Sequence, residues 1–280
     1  MENYSRNNFF TQFVKDSFPI QNATLVHCIT NEITEESVAN ALLYINAKPV
    51  MASDTREFSD FFSQTDSLFL NLGHISPERE ETLFQAGKMA DETDTPFVVD
   101  LVGIASSTIR YNLAFKLSEL APTIIKGNTS EMRAFCNLDS EARGVDASIE
   151  DQADAAIDEL LHAMKGLASR HPETTFIATG ETDLVVCDGS CFELHNGVPE
   201  LDRFTGTGDI VGAMMAALIK NNHEGLAAGI SAISYLNICA ENASQITEGL
   251  ADFRQQTLNQ LSLLMNNDYW FEAIRGAVHA

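Results

Sequence analysis

From Ala23 to Glu181 the chain repeats one unit, a short apolar run followed by a longer stretch whose apolar residues recur at helical spacing. The runs are ATLVHCIT, KPVMA, DSLFLNLG, TPFVVDLVG, APTIIKGN and TTFIATGE; the stretches between them include SVANALLYIN, REFSDFFSQT, SPEREETLFQAGKMADE and SIEDQADAAIDELLHAMKGLASR. Apolar runs of this length suit strands buried on both faces, and helices that alternate with them carry the chain back to start each strand in the same direction. The expected fold is therefore α/β, with a largely parallel central sheet flanked by helices. Ser76-Pro77 supplies an N-cap and a first-turn proline to the third helical stretch. TDLVVCDGSCFELHNG alternates on both sides of Asp188-Gly189, the signature of a hairpin. After Gly208 the alternation stops, and DIVGAMMAALIKN, EGLAAGISAISYLNICAENAS and LADFRQQTLNQLSLLM read as consecutive helices. Alanine and glycine are dense in the first two, which allows close packing. No Pro/Gly/Ser-rich linker or fixed-period repeat breaks the pattern, so one domain over residues 1–280 is expected.

Most of these strands end in polar residues. His27-Cys28-Ile29-Thr30-Asn31, Asn71-Leu72-Gly73, Asp100-Leu101-Val102-Gly103, Lys126-Gly127-Asn128 and Thr179-Gly180-Glu181 each close an apolar run. In a parallel sheet those five exits share one edge, where ligands of open α/β sheets bind. Turns between strands and helices also favour Gly, Asn and Asp, so a single exit means little; five together mark a site. TGTGDIVGAMMAALI, from Thr205, joins them. Gly206 and Gly208 can bring backbone N–H groups to an anion, and the helix starting near Asp209 adds its positive end. A carboxylate at that position also suits a helix cap. The stretch matches neither GxxxxGK[ST] nor GxGxxG.

The formal charge of −23, from 17 Lys+Arg against 40 Asp+Glu, argues against a nucleic-acid partner, whose backbone needs clustered cations. It also means that a phosphorylated ligand needs a metal escort. No run reaches the roughly 18 apolar residues of a membrane span, and MENYSRNNFFTQF lacks the order of a secretory leader, so the cytoplasm is the expected location. Five scattered cysteines form no disulfide framework, and Cys187 and Cys191, without further ligands at metal spacing, read as hairpin residues rather than a zinc site.

LVHCITNEITEESVANALLYINAKPVMA, NLGHISPER, VVDLVG, IIKGNTSE, ATGETD and TGTGD, in this order, resemble the hydroxyethylthiazole kinase family of the ribokinase-like superfamily. The matching blocks run from about Val26 to Ala240. The resemblance implies a three-layer ribokinase-like fold, a homotrimer with active sites at subunit interfaces, and ATP-dependent phosphorylation of the hydroxyl of 4-methyl-5-(2-hydroxyethyl)thiazole in thiamin biosynthesis. It implies a thiazole site at Asn31, Met51 and Gly206, with Asn31 bonding a ring nitrogen and Met51 forming a polarizable wall. ATP contacts are implied at Lys126, Thr179 and Gly208, and Mg²⁺ at Asp100 and Glu131, with Asn128 nearby. His27 reads as a satisfied histidine at a strand exit.

Three positions depart from the family. Lys126 stands where arginine is usual, which replaces a planar fork with a point charge. Leu101 replaces the proline of DPVG. Asp209 stands where many family members have cysteine, whereas most other ribokinase-like kinases place an aspartate there as base toward the accepting hydroxyl. The expected catalytic residue is Asp209, both capping its helix and serving as base. Alternatives from the same residues are a kinase for another heteroaromatic alcohol, of hydroxymethylpyrimidine or pyridoxal type, or a nucleotide-binding sensor without turnover.

Overall fold

The computed structural model describes residues 10–11, 14–139, 154–219 and 225–279. The first residues of the SIEDQADAAIDELL stretch, Lys220 to Glu224, and most of the N-terminal segment lie outside them. In chain order the elements are β1 (Leu25–Ile29), α1 (Glu35–Tyr44), β2 (Lys48–Val50), α2 (Phe58–Phe62), β3 (Ser67–Asn71), α3 (Pro77–Glu92), β4 (Phe97–Asp100) and α4 (Thr108–Ser118). There follow β5 (Ile124–Asn128), α5 (Thr129–Phe135), α6 (Asp154–Arg170), β6 (Thr175–Thr179), β7 (Asp183–Cys187), β8 (Ser190–Leu194), α7 (Thr207–Ile219), α8 (Gly225–Ser244), α9 (Leu250–Leu264) and β9 (Gly276–His279).

The strands form one sheet in the order β2-β1-β3-β4-β5-β6-β7-β8-β9. The first six are mutually parallel; β7, β8 and β9 extend the sheet antiparallel. Asp188 and Gly189 take φ of 33° and 77° between β7 and β8, the positive values that a two-residue hairpin turn requires. Strand β9 has no counterpart in the sequence reading. Its four residues GAVH are too short to show alternation, and pairing with β8 alone makes them a strand.

Side chains alternate across the sheet with period two. Val26, Cys28, Phe69, Val98, Ile124 and Ile177 join the core on one face, with α1, α7, α8 and α9. Ile29, Leu68, Leu70, Phe97, Val99, Ile125 and Phe176 join the core on the other, with residues from α2 to α6. Helices thus cover both faces of the sheet, the three layers expected. Helix α7 lies close on β3, since a Cβ built on Gly212 would meet the Phe69 ring at 2.6 Å. The small residues of α7 therefore set its distance from the sheet, and all of Asp209 to Ile219 is buried.

Candidate active site

The register of the parallel strands assembles the site. Asn71 pairs with Asp100, and Asp100 pairs with Lys126, so three adjacent strands place three polar residues side by side near their ends. Counting back by two from each leads to Phe69, Val98 and Ile124, all on the α7 face. The polar row therefore faces α7, and α7 begins at Thr207 with Gly206 just before it. Gly206 has φ of 100°, and a Cβ there would lie 2.8 Å from Thr34 Cγ2, so the turn into α7 requires glycine on two grounds.

Asp209, 7 % exposed, accepts from three side chains. Asn31 Nδ2 donates to its Oδ2 at 2.8 Å and Asn71 Nδ2 to its Oδ1 at 3.0 Å, while the Thr34 hydroxyl makes a short bond to Oδ2. None of these donors is a backbone N–H of α7. The expectation that Asp209 caps its helix is thereby corrected: its carboxylate sits in the first turn, near the positive end, but is held by the exits of β1 and β3 and by the start of α1. A carboxylate offers about four lone-pair sites, and the three bonds leave one of them on Oδ1.

Asn71 is the centre of this network. Its Nδ2 donates to Asp209 Oδ1 and, at 3.2 Å, to Asp100 Oδ2; its Oδ1 accepts from Gly73 N at 2.8 Å and Asn31 Nδ2 at 3.3 Å. Asn31 spends both amide hydrogens on Asp209 and Asn71, and its Oδ1 accepts from Ile33 N at 3.1 Å. In this arrangement it has no N–H left for a ring nitrogen; one Oδ1 lone pair is its remaining capacity.

Lys126 is 2 % exposed and Asp100 is fully buried. Lys126 Nζ forms an ion pair with Asp100 Oδ1 at 2.8 Å and donates to Gly208 O at 3.2 Å. The lysine thus ties the sheet to the TGTGD turn. Burial raises the Asp100 carboxyl above its ordinary range; Lys126 opposes the rise, and the charge of Asp209 adds to it.

On the nucleotide side expected from the sequence, Asn128 and Glu131 form a reciprocal capping box at the start of α5. Glu131 Oε2 accepts from Asn128 N at 2.8 Å, and Oε1 from Gly103 N at 2.7 Å, which pins the loop after β4 to the exit of β5. Burial pushes its carboxyl up to about 7, the charge of Asp100 adding to the rise and the two N–H donors opposing it. Thr179 pairs with Asn128 in register, and its hydroxyl donates to Gly127 O at 3.4 Å. Met51, half-buried just beyond β2, packs against the core on the α7 face. All the residues expected from the sequence therefore lie at the carboxyl edge of the parallel strands or in the TGTGD turn. Asn31, Asp100, Lys126, Gly208 and Asp209 are joined to the Asn71 network directly or through one neighbour. Met51 stands at its β2 end and Thr179, Asn128 and Glu131 at its β5–β6 end.

Sequence reasoning missed Asn71 and Thr34 as site residues. Asn71 was visible as a polar strand exit, but nothing in the sequence tells which exit meets Asp209. Thr34 stands at the N-cap position of α1 without a side-chain cap hydrogen bond, and its hydroxyl donates across to Asp209.

Comparison with known proteins gives a consistent result. The model of the hydroxyethylthiazole kinase family matches residues 19–267. A protein of Enterococcus faecalis named hydroxyethylthiazole kinase is 53 % identical over 261 residues, 93 % of this chain and 96 % of its own. The solved hydroxyethylthiazole kinase protein of Pyrococcus horikoshii superposes with a TM-score of 0.82 at 25 % identity, covering 98 % of this chain and 100 % of its own. Pyridoxal kinase of Staphylococcus aureus, solved with ADP, gives a TM-score of 0.55 at 15 % identity over 76 % of this chain and 86 % of its own, a likeness of ribokinase-like fold alone.

Proposed function

The chain belongs to the hydroxyethylthiazole kinase family, and from that premise we propose how its own residues transfer a phosphoryl group from ATP to the hydroxyl of 4-methyl-5-(2-hydroxyethyl)thiazole. The observation that carries the reading is the three-way hold on Asp209, which leaves one lone pair on Oδ1 at the start of α7. The order of strands supports a division of labour along the rim. Met51 and Asn31 lie at the β2 and β1 ends and bind the acceptor, together with Gly206. Lys126 and Thr179 lie at the β5 and β6 ends and, with Gly208, bind ATP. Asp209, bonded to Asn31 after β1 and Asn71 at the end of β3, stands between the two groups.

A carboxylate is a weak base toward a ground-state alcohol, so Asp209 Oδ1 takes the proton as the hydroxyl oxygen bonds to the γ-phosphorus and the bond to the bridging oxygen of ADP breaks. The turn at Gly206 and Gly208 and the N-terminus of α7 supply N–H donors and positive potential for the phosphoryl oxygens. Lys126 orients that turn through Gly208 O and sets a positive charge beneath it.

Asp100 and Glu131 would hold Mg²⁺. Each Glu131 oxygen spends one lone pair on a backbone N–H, and Asp100 Oδ1 has the Lys126 ion pair as its contact, so both retain capacity. Among the described residues no group of three or more His, Cys, Asp or Glu converges on one point. Mg²⁺ takes one or two carboxylates and fills its shell with phosphate oxygens and water. When bound it neutralises charge on the phosphates.

We further propose that residues 1–280 act as one domain, in the cytoplasm, as a homotrimer. No described helix is long and apolar enough to cross a membrane. Ile33, 74 % exposed and two residues from Asn31, supports a subunit contact beside the site. Sedimentation of the purified protein tests the assembly; a monomer at enzyme concentrations overturns it. For the activity, the protein is incubated with ATP, Mg²⁺ and, in turn, the thiazole alcohol, hydroxymethylpyrimidine and pyridoxal. The highest kcat/KM is expected for the thiazole. A higher value for another alcohol moves the substrate, and ATP binding without turnover on any of them refutes a kinase.

A further inference from the structure

His27 is a buried titratable side chain at this rim that the reaction leaves without a task. It lies in β1 directly across from Val50, the last residue of β2, and β2 is a three-residue strand at the edge of the sheet. Past Val50 the chain leaves the ladder, so Met51 and Ala52 have no strand pairing to fix them. The His27 side chain supplies a replacement: its Nε2 lies 2.7 Å from Ala52 O. Met51 is consequently held on both sides, by the His27–Val50 register before it and by the imidazole on Ala52 after it.

The ring itself is fixed and its protonation is dictated. Phe58, Phe61 and Phe62 of α2 surround it with ring centroids 5.6, 5.9 and 5.4 Å away. A carbonyl oxygen only accepts, so Nε2 carries the proton. Nδ1 is buried without a partner, a place where a second proton would leave a charge unsolvated in an apolar cage. Burial accordingly lowers the His27 pKa, with the Ala52 bond opposing the shift. A donor whose charged form is disfavoured by burial is a suitable clamp.

We propose that His27, as the neutral Nε2–H tautomer, is a positioning residue that holds the Met51–Ala52 segment in place for the thiazole alcohol. The proposal rests on the reading of Met51 as a thiazole contact. His27→Leu removes the donor and leaves an apolar side chain for the phenylalanine cage. His27→Gln places an amide N–H at the same number of bonds from the backbone. In His27→Leu the KM for the thiazole alcohol is expected to rise about 10-fold, the loss of roughly one hydrogen bond's worth of binding, with the KM for ATP and kcat changed less than about twofold. His27→Gln is expected to recover most of that rise. Equal rises in both KM values, or a glutamine no better than leucine, overturn the proposal.

Met51→Ala separates this failure from failure of the underlying reading. If it leaves the thiazole KM unchanged, Met51 is no substrate contact and both readings fall. If it raises that KM while His27→Leu does not, the positioning role alone falls. Should His27→Leu fail to fold, nitrogen-15 NMR of histidine-labelled wild-type protein still decides: a proton on Nε2 alone is expected near neutral pH, and an Nδ1–H tautomer or an imidazolium overturns the proposal.

Discussion

Asn71 and Asp209, 138 residues apart in sequence, meet through a hydrogen bond of 3.0 Å, and the same amide nitrogen reaches Asp100 at 3.2 Å. One buried amide thus holds two carboxylates at a fixed spacing and gives each a donor. The proposed base and the carboxylate beside Lys126 are positioned by a residue that carries no charge.

Replacing that amide tests the arrangement. Asn71→Leu leaves Gly73 N and one Asn31 hydrogen without an acceptor and both carboxylates short of a donor. The variant is expected to lose at least about 1–3 kcal/mol in urea denaturation. Its kcat should fall about 10- to 100-fold through a misplaced Asp209. Wild-type kcat in a folded variant would show that Asp209 keeps its place without Asn71.

Asp209→Asn removes the base while keeping its shape. Turnover of the thiazole alcohol is expected to drop about 10²- to 10⁴-fold, the range for loss of a positioned base, with the fold retained by circular dichroism. Unchanged turnover would strip Asp209 of its catalytic role. Asp209→Cys is expected to keep part of the activity, given the cysteine found here in many family members.

Lys126→Met leaves Asp100 as a buried carboxylate without its cation. The expected cost is about 3–5 kcal/mol, read from the denaturation midpoint. Adding Asp100→Leu should return part of that loss, since an apolar pair replaces an unpaired charge. A double variant as unstable as the single one would show that the pair is not the source of the cost.

Gly206→Ala forces a side chain into a φ of 100° and against Thr34 Cγ2. A loss of about 1–3 kcal/mol is expected. Thr34→Ser deletes that methyl and keeps the hydroxyl on Asp209, so combining the two should recover the steric part and leave the backbone part. No recovery would place the whole penalty in the backbone.

Asp183 gives a pH signature. It is buried, and burial pushes its carboxyl up to about 7, while Gly180 N at 3.0 Å and Asn237 Nδ2 at 2.9 Å oppose the shift. A raised folded-state pKa contributes stability that is complete below the unfolded value, near 4, and is lost as pH rises through about 7. Melting temperatures across that window, wild type against Asp183→Asn, should therefore shift in favour of the variant as pH increases. A constant difference would mean that Asp183 titrates normally in the folded protein.

Much of this was legible in the sequence. The apolar runs and their helical spacers dictated a parallel sheet with helices on both faces, and the polar ends of the runs marked its carboxyl edge as the candidate site. Strand direction alone brings Asn31, Asp100, Lys126 and Thr179 to one rim, because every crossover in a parallel sheet returns the chain to the same side. The Asp188-Gly189 hairpin was equally plain, since its backbone conformation is a local property of that dipeptide.

Tertiary structure decided the partners. Whether Asp209 caps its own helix or is held by three side chains from other elements depends on where α7 rests on β3, and that follows from the fit of Gly212 against the Phe69 ring. The placing of Asn71 between Asp100 and Asp209 depends on strand order and register, which no stretch of sequence carries by itself. Asp209 looked like a cap of its own helix because residue types advertise capacity; its lone pairs were allotted by neighbours that only the folded chain supplies.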